Sequence, residues 1–159
     1  MDNPKAAGLR NECLKDAVCI INPHSARKKW SRRRDIKRYL SRNLPGEIFD
    51  TMSRKEETIE LAARLAGRHR AIVVLGGDGT IADVMQGLRR AGREADVLLG
   101  IVPLGSGNAF RKSLFIPKNV RRAVRALRQG IPRPVNLMEI EGQISGFSSI
   151  GATALATNT

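Results

Sequence analysis

"AIVVLGGDGTIADVMQGL", Ala71 to Leu88, joins an apolar run to an amphipathic one through a glycine-rich turn. The run AIVVL does not alternate, the pattern of a strand covered on both faces. Past the turn, Ile81, Val84, Met85 and Leu88 recur at i, i+3, i+4 and i+7 and so share one face of a helix. Glycines let a backbone approach a phosphate closely, and the first amides of the following helix face the anion with a favourable dipole. Asp78 is out of place in such a loop. A carboxylate repels phosphate unless a cation or a transferable proton lies between them, so Asp78 points to phosphoryl chemistry. A turn with Asp78 merely exposed, and Thr80 or Asp83 capping the helix, is the plainer alternative.

The same grammar repeats on either side. AVCII (Ala17 to Ile21) and LLGIV (Leu98 to Val102) are further unalternating runs, and EIFDTM (Glu47 to Met52) is a weaker strand candidate. Ser53 and Glu56 form a possible capping box ahead of TIELAARLAG, whose Gly67 marks a stop. Val120, Val124 and Leu127 give another apolar helix face before Gly130. Strand alternating with helix predicts a three-layer α/β/α domain with a mostly parallel sheet over residues 1–131. After Gly130 the pattern changes: Pro132 and Pro134 precede two strand-like runs around a turn at Glu141 and Gly142. A hairpin alone is marginal in water, so residues 132–159 read as the first strands of a β-rich second domain.

The chain has 159 residues, 28 Lys and Arg against 15 Asp and Glu, and a formal charge of +13. The excess concentrates in Arg27 to Arg42 and Arg121 to Arg128, as nucleic acid, an anionic membrane or polyphosphate would favour. Aromatic content of 4% argues against reading single strands by base stacking, and no specific nucleic acid is expected. No secretory leader or run of about 18 apolar residues is visible, which predicts a cytoplasmic protein, peripheral to a membrane at most. Cys13 and Cys19 read as reduced thiols, with Cys19 in the core.

Ligands of an open parallel sheet bind beyond the carboxyl ends of its strands. NPHSA (Asn22 to Ala26), GGDGT (Gly76 to Thr80) and PLGSGN (Pro103 to Asn108) all fall there. In this order and spacing they resemble the nucleotide-binding domain of the diacylglycerol kinase catalytic family, which includes bacterial lipid kinases and sphingosine kinases and is related to NAD kinases. The resemblance runs from about Val18 to Ile150. It implies an ATP-dependent lipid kinase using Mg²⁺, which transfers the γ-phosphate to a lipid hydroxyl such as that of diacylglycerol or a sphingoid base. It also implies contacts to nucleotide from Asn22, Ser25, Gly76, Gly77, Gly79, Thr80, Gly105, Ser106, Gly107 and Asn108, and makes Asp78 the catalytic carboxylate tied to magnesium or the acceptor hydroxyl. The chain departs from the family's usual residues at Ala26 (Gly), Ala82-Asp83 (Asn-Glu) and Ala109 (Asp), and Thr153 stands near a usual Asp. In the family the second domain continues well beyond Thr159, and the acceptor lies between the two domains, so these residues alone are expected to hold ATP without turning over lipid. The alternatives are an NAD kinase-like enzyme with a soluble acceptor and a non-catalytic nucleotide-binding or basic interaction module.

Overall fold

The computed structural model describes residues 14–26, 33–51, 54–105, 107, 109–140 and 142–145. Strand β1 (Ala17–Ile21) is followed by a 3₁₀ turn (Pro23–Ala26), helix α1 (Arg33–Asn43), β2 (Ile48–Asp50), α2 (Lys55–Ala66) and β3 (Ala71–Gly76). Then come α3 (Asp78–Arg90), β4 (Leu98–Pro103), the short α4 (Ala109–Ser113) and α5 (Val120–Gln129). The four strands pair in parallel in the order β2-β1-β3-β4.

Each central strand alternates its side chains between two separate cores. Val18, Ile20, Ile72 and Val74 pack with Ala62 and Leu65 of α2 and with Ile81, Val84, Met85 and Leu88 of α3. Ala17, Cys19, Ile21, Val73 and Leu75 pack on the opposite side with Leu40 of α1 and with Ala123 and Val124 of α5. This is the expected α/β/α sandwich, and it explains the unbroken apolar runs: a strand covered by helices on both faces has no polar face. Burying each Val, Ile or Leu here stabilises the fold by roughly 1.5–3 kcal/mol. The edge strand β2 is shorter than the Glu47 to Met52 expectation, with Ile48 and Phe49 only half-buried.

Two local expectations concern the ends of α2. The N-cap of α2 is Arg54, which makes no side-chain capping bond; the Ser53–Glu56 box rests on Ser53, which lies outside the described residues. Gly67 does end α2, but in right-handed geometry at φ −69°. Gly87 carries weight that periodicity does not reveal. A Cβ there would lie 2.5 Å from the Ile59 carbonyl oxygen and 2.6 Å from the Ala62 Cβ, so α2 and α3 meet closely only because position 87 is bare.

The final hairpin forms as expected from β5 (Met138–Ile140) and β6 (Gln143–Ser145), paired antiparallel, with Gly142 of the turn at φ +74°. It rests against α3, where Gln86 Nε2 donates to the Gly142 carbonyl at 3.3 Å and Arg89 pairs with Glu139 at 3.4 Å.

Between α4 and α5 the chain breaks two rules at one residue. Ile116 N donates to Arg111 O at 3.0 Å and Phe115 N to Lys112 O at 3.2 Å, a helix-ending Schellman closure. Phe115 takes its left-handed position at φ 55°, a place that favours glycine, and its side chain is 92% exposed. The closing bonds and the packing of Leu114 and Ile116 hold Phe115 in place against a strain of about 1 kcal/mol. Phe115→Gly is therefore expected to raise stability by about 0.5–1 kcal/mol in thermal or urea unfolding.

Candidate functional site

The loops that follow β1, β3 and β4 emerge side by side, because these three strands are neighbours in the sheet. Backbone bonds bind the loop bases together: Asn22 N donates to Leu75 O at 3.0 Å and Leu104 N to Gly76 O at 2.9 Å. Side chains of the central loop then fasten the outer two. Thr80, buried in the first turn of α3, accepts from Asn22 Nδ2 at 2.9 Å and lies 3.2 Å from Ser25 Oγ. Asn22 is itself set by accepting from the His24 amide at 2.9 Å. On the other side Asp78 Oδ2 accepts from Ala109 N at 2.9 Å and Oδ1 from Phe110 N at 3.0 Å.

Asp78 thus caps α4 from across the site. Its negative charge meets the first amides of that helix, where charge-assisted bonds and the helix dipole both favour it. Sequence reasoning assigned Asp78 to metal or acceptor chemistry and missed this clasp. The role was hidden because the cap comes from a loop 31 positions away, while capping signals are read within a few residues. A carboxylate oxygen has more than one lone pair, so the two clasp bonds do not exhaust the acceptor capacity of Asp78.

The glycines divide by purpose. A Cβ on Gly76 would stand 2.6 Å from the Thr80 side chain, so the turn needs a bare residue there, while one on Gly77 would stand 3.3 Å from the Gly105 Cα, a tight contact that only a small shift of the Gly105 loop would relieve. A Cβ on Gly79 would meet nothing within 4 Å, and its φ is not left-handed. The fold does not require glycine there; a bare backbone at the start of α3 leaves room for something else. No side chain caps α3, whose N-cap is Gly77, and first-turn amides have no intrahelical acceptor. Gly105 lies half-buried beside Gly77, and Gly107 is exposed near Asp78 Oδ2; Ser106 and Asn108 lie outside the described residues.

Among the described residues no three metal-ligating side chains cluster, so the site offers a cation one carboxylate and no all-protein cage. Asp83, on α3, is half-buried, and burial pushes its carboxyl up to about 6, with Lys55 opposing the shift and Glu56 adding to it. An acid with a raised folded pKa binds its proton more tightly in the native state, so its contribution to stability is full below about pH 4 and is lost as pH rises through 6. Asp83→Asn is expected to stabilise the domain by about 1 kcal/mol at pH 8, after discounting for solvent screening, and to leave stability unchanged at pH 4. Thermal melts at the two pH values check this. The Cys19 thiol, buried and free, is pushed up to about 11 and is inert at neutral pH.

The sequence profile of the diacylglycerol kinase catalytic domain matches residues 16–140. The chain belongs to this family. A protein of Chromohalobacter salexigens named "Probable lipid kinase YegS-like" is 32% identical over 150 residues, which cover 91% of this chain and 46% of that protein. A Bacillus subtilis protein named diacylglycerol kinase is 36% identical over 73 residues, 45% of this chain and 23% of its own length. The crystal structure of a diacylglycerol kinase from Bacillus anthracis superimposes with a TM-score of 0.70 at 25% identity, over 82% of this chain and 47% of that one. The chain spans less than half the length of these relatives. Across the family match run β1 to β5 and all three loops, so the clasped edge belongs to a lipid kinase-type catalytic domain. Among the described residues no helix is long and apolar enough to cross a membrane.

Proposed function

We propose that this chain forms the nucleotide-binding part of an ATP-dependent lipid kinase and that its three clasped loops hold Mg²⁺-ATP. The observation that carries the reading is Gly79: the family's glycine is kept where the fold has no use for it, at an uncapped helix start between two loops tied to it. In this reading the amides of Gly77, Gly79 and Thr80 bind phosphate oxygens, with Gly76 keeping the turn tight. Asn22 and Ser25, held by Thr80, border the nucleotide on one side, and Gly105, Ser106, Gly107 and Asn108 border it on the other. Asp78 would supply the carboxylate that holds magnesium. When bound, the ion neutralises charge on the phosphates, and the chain's own contribution is positioning by preorganised amides. The lipid hydroxyl oxygen bonds to the γ-phosphorus as the bridge to the β-phosphate breaks, ADP leaves and the hydroxyl proton passes to solvent; diacylglycerol or a sphingoid base is the acceptor class. In this reading the acceptor is bordered by a second, β-rich domain that opens with the hairpin β5–β6.

Titration of the chain with ATP and a non-hydrolysable analogue by calorimetry tests the nucleotide half. Saturable binding that weakens when magnesium is removed and is displaced by ADP is expected. Tighter binding of NAD than of ATP, or no adenine nucleotide binding at millimolar concentration, overturns the proposal.

A further inference from the structure

Phe115 is held outward by a loop that is otherwise well fastened. Leu114 and Ile116 on either side pack into the core, Arg111 Nη1 donates to the Ile116 carbonyl at 2.8 Å, and two backbone bonds close the turn. The aromatic ring is thus presented by a fixed left-handed turn rather than left over from loose packing. Its surroundings are cationic. No Asp or Glu occurs from Val97 to Met138, while Lys112, Lys118, Arg121 and Arg122 flank the ring in sequence, all exposed. Arg121 and Arg122 occupy the first turn of α5, which holds no acid, although a helix N-terminus disfavours cations. Arg121 stacks over the Tyr39 ring of α1 at 5.6 Å, whereas neither the strain at Phe115 nor a cation at Arg122 in the first turn of α5 favours the fold. Both become favourable when an anionic, partly apolar phase meets the loop.

We propose that the α4–α5 loop is a contact with an anionic bilayer, with the Phe115 ring seated at the headgroup–acyl boundary and Lys112, Lys118 and Arg122 against lipid phosphates. An aromatic tip ringed by basic side chains matches that boundary in both polarity and charge. A second copy of this chain is disfavoured as occupant, because it would bring the same positive patch and a total charge of +13 toward itself. The choice of a bilayer over a nucleic acid rests on the lipid-kinase reading. The loop lies five residues beyond Phe110, whose amide Asp78 holds, so docking brings the lipid surface to the flank of the clasped loops.

Co-sedimentation of the whole chain with vesicles tests this, comparing phosphatidylcholine alone with an equal mixture of phosphatidylcholine and phosphatidylglycerol. Binding to the anionic vesicles only is expected. Phe115→Gly should lower it about tenfold at every salt concentration while the melting temperature holds or rises, which separates the ring's role from folding. Lys118→Gln and Arg122→Gln should each lower it about fivefold at low salt and little at 1 M. Unchanged binding by Phe115→Gly, equal binding to neutral vesicles, a Phe115-dependent dimer in place of vesicle binding, or preference for duplex DNA at matched salt would each overturn the proposal. No nucleotide is present in this assay, so failure of ATP binding and failure of membrane contact are read separately.

Discussion

Asp78→Ala should lower the melting temperature by roughly 5–10 °C and loosen the end of the β4 loop, even with no ligand present. The substitution leaves the amides of Ala109 and Phe110 without their acceptors at 2.9 and 3.0 Å. Hydrogen bonds to a charged group contribute about 1.5–3 kcal/mol, and losing a cap costs about 1 kcal/mol, so a loss of about 2–3 kcal/mol is expected. In a domain of this size each kcal/mol moves the midpoint by about 2–4 °C. Asp78→Asn keeps one carbonyl oxygen for one of the two amides and should fall between wild type and Ala. Calorimetric melts of the three proteins check the order. A kinase activity lost in Asp78→Asn therefore reports on chemistry only after its melt has been compared, since the same carboxylate shapes the loop.

Gly79→Val should do the opposite: abolish nucleotide binding and leave the fold standing. With open space within 4 Å of a Cβ at this position and a conformation valine can adopt, the side chain meets no protein atom. It would occupy the space above the first turn of α3, where the proposed phosphate needs contact with bare amides. The expected result is at least a hundredfold loss of ATP affinity by calorimetry, about 2.7 kcal/mol, with a melting temperature within about 2 °C of wild type. Gly76→Val is the useful contrast. Its Cβ would collide with Thr80, so that variant should fail by unfolding rather than by losing ligand.

The sheet was legible in sequence because each buried strand is apolar without a break, and β1, β3 and β4 begin where the runs AVCII, AIVVL and LLGIV begin. The helix face of Ile81, Val84, Met85 and Leu88 was legible for the same reason, since burial imposes the helical period. The edge strand and the start of α2 were not, because half-burial weakens the pattern and Arg54 offers no capping side chain. Within the site, the meeting of three loops followed from their place after strands and from the family's motifs. The bonds that lock them did not follow, because Asp78 to Ala109 and Thr80 to Asn22 are contacts between distant stretches that no local rule encodes. His69, just past the end of α2, sets its ring 3.1 Å from Asp16 at the entry to β1, another long-range pairing.

The central claim is that nucleotide binds at the clasped carboxyl edge of the sheet. Backbone amide resonances of the labelled chain, followed during titration with Mg²⁺-ATP, test it most directly. The account predicts saturable shifts concentrated at Asn22 to Ser25, Gly77 to Thr80 and Leu104 to Phe110, with α5 and β2 unmoved. Shifts that centre instead on the arginines of α5, or none at millimolar ATP, would contradict it.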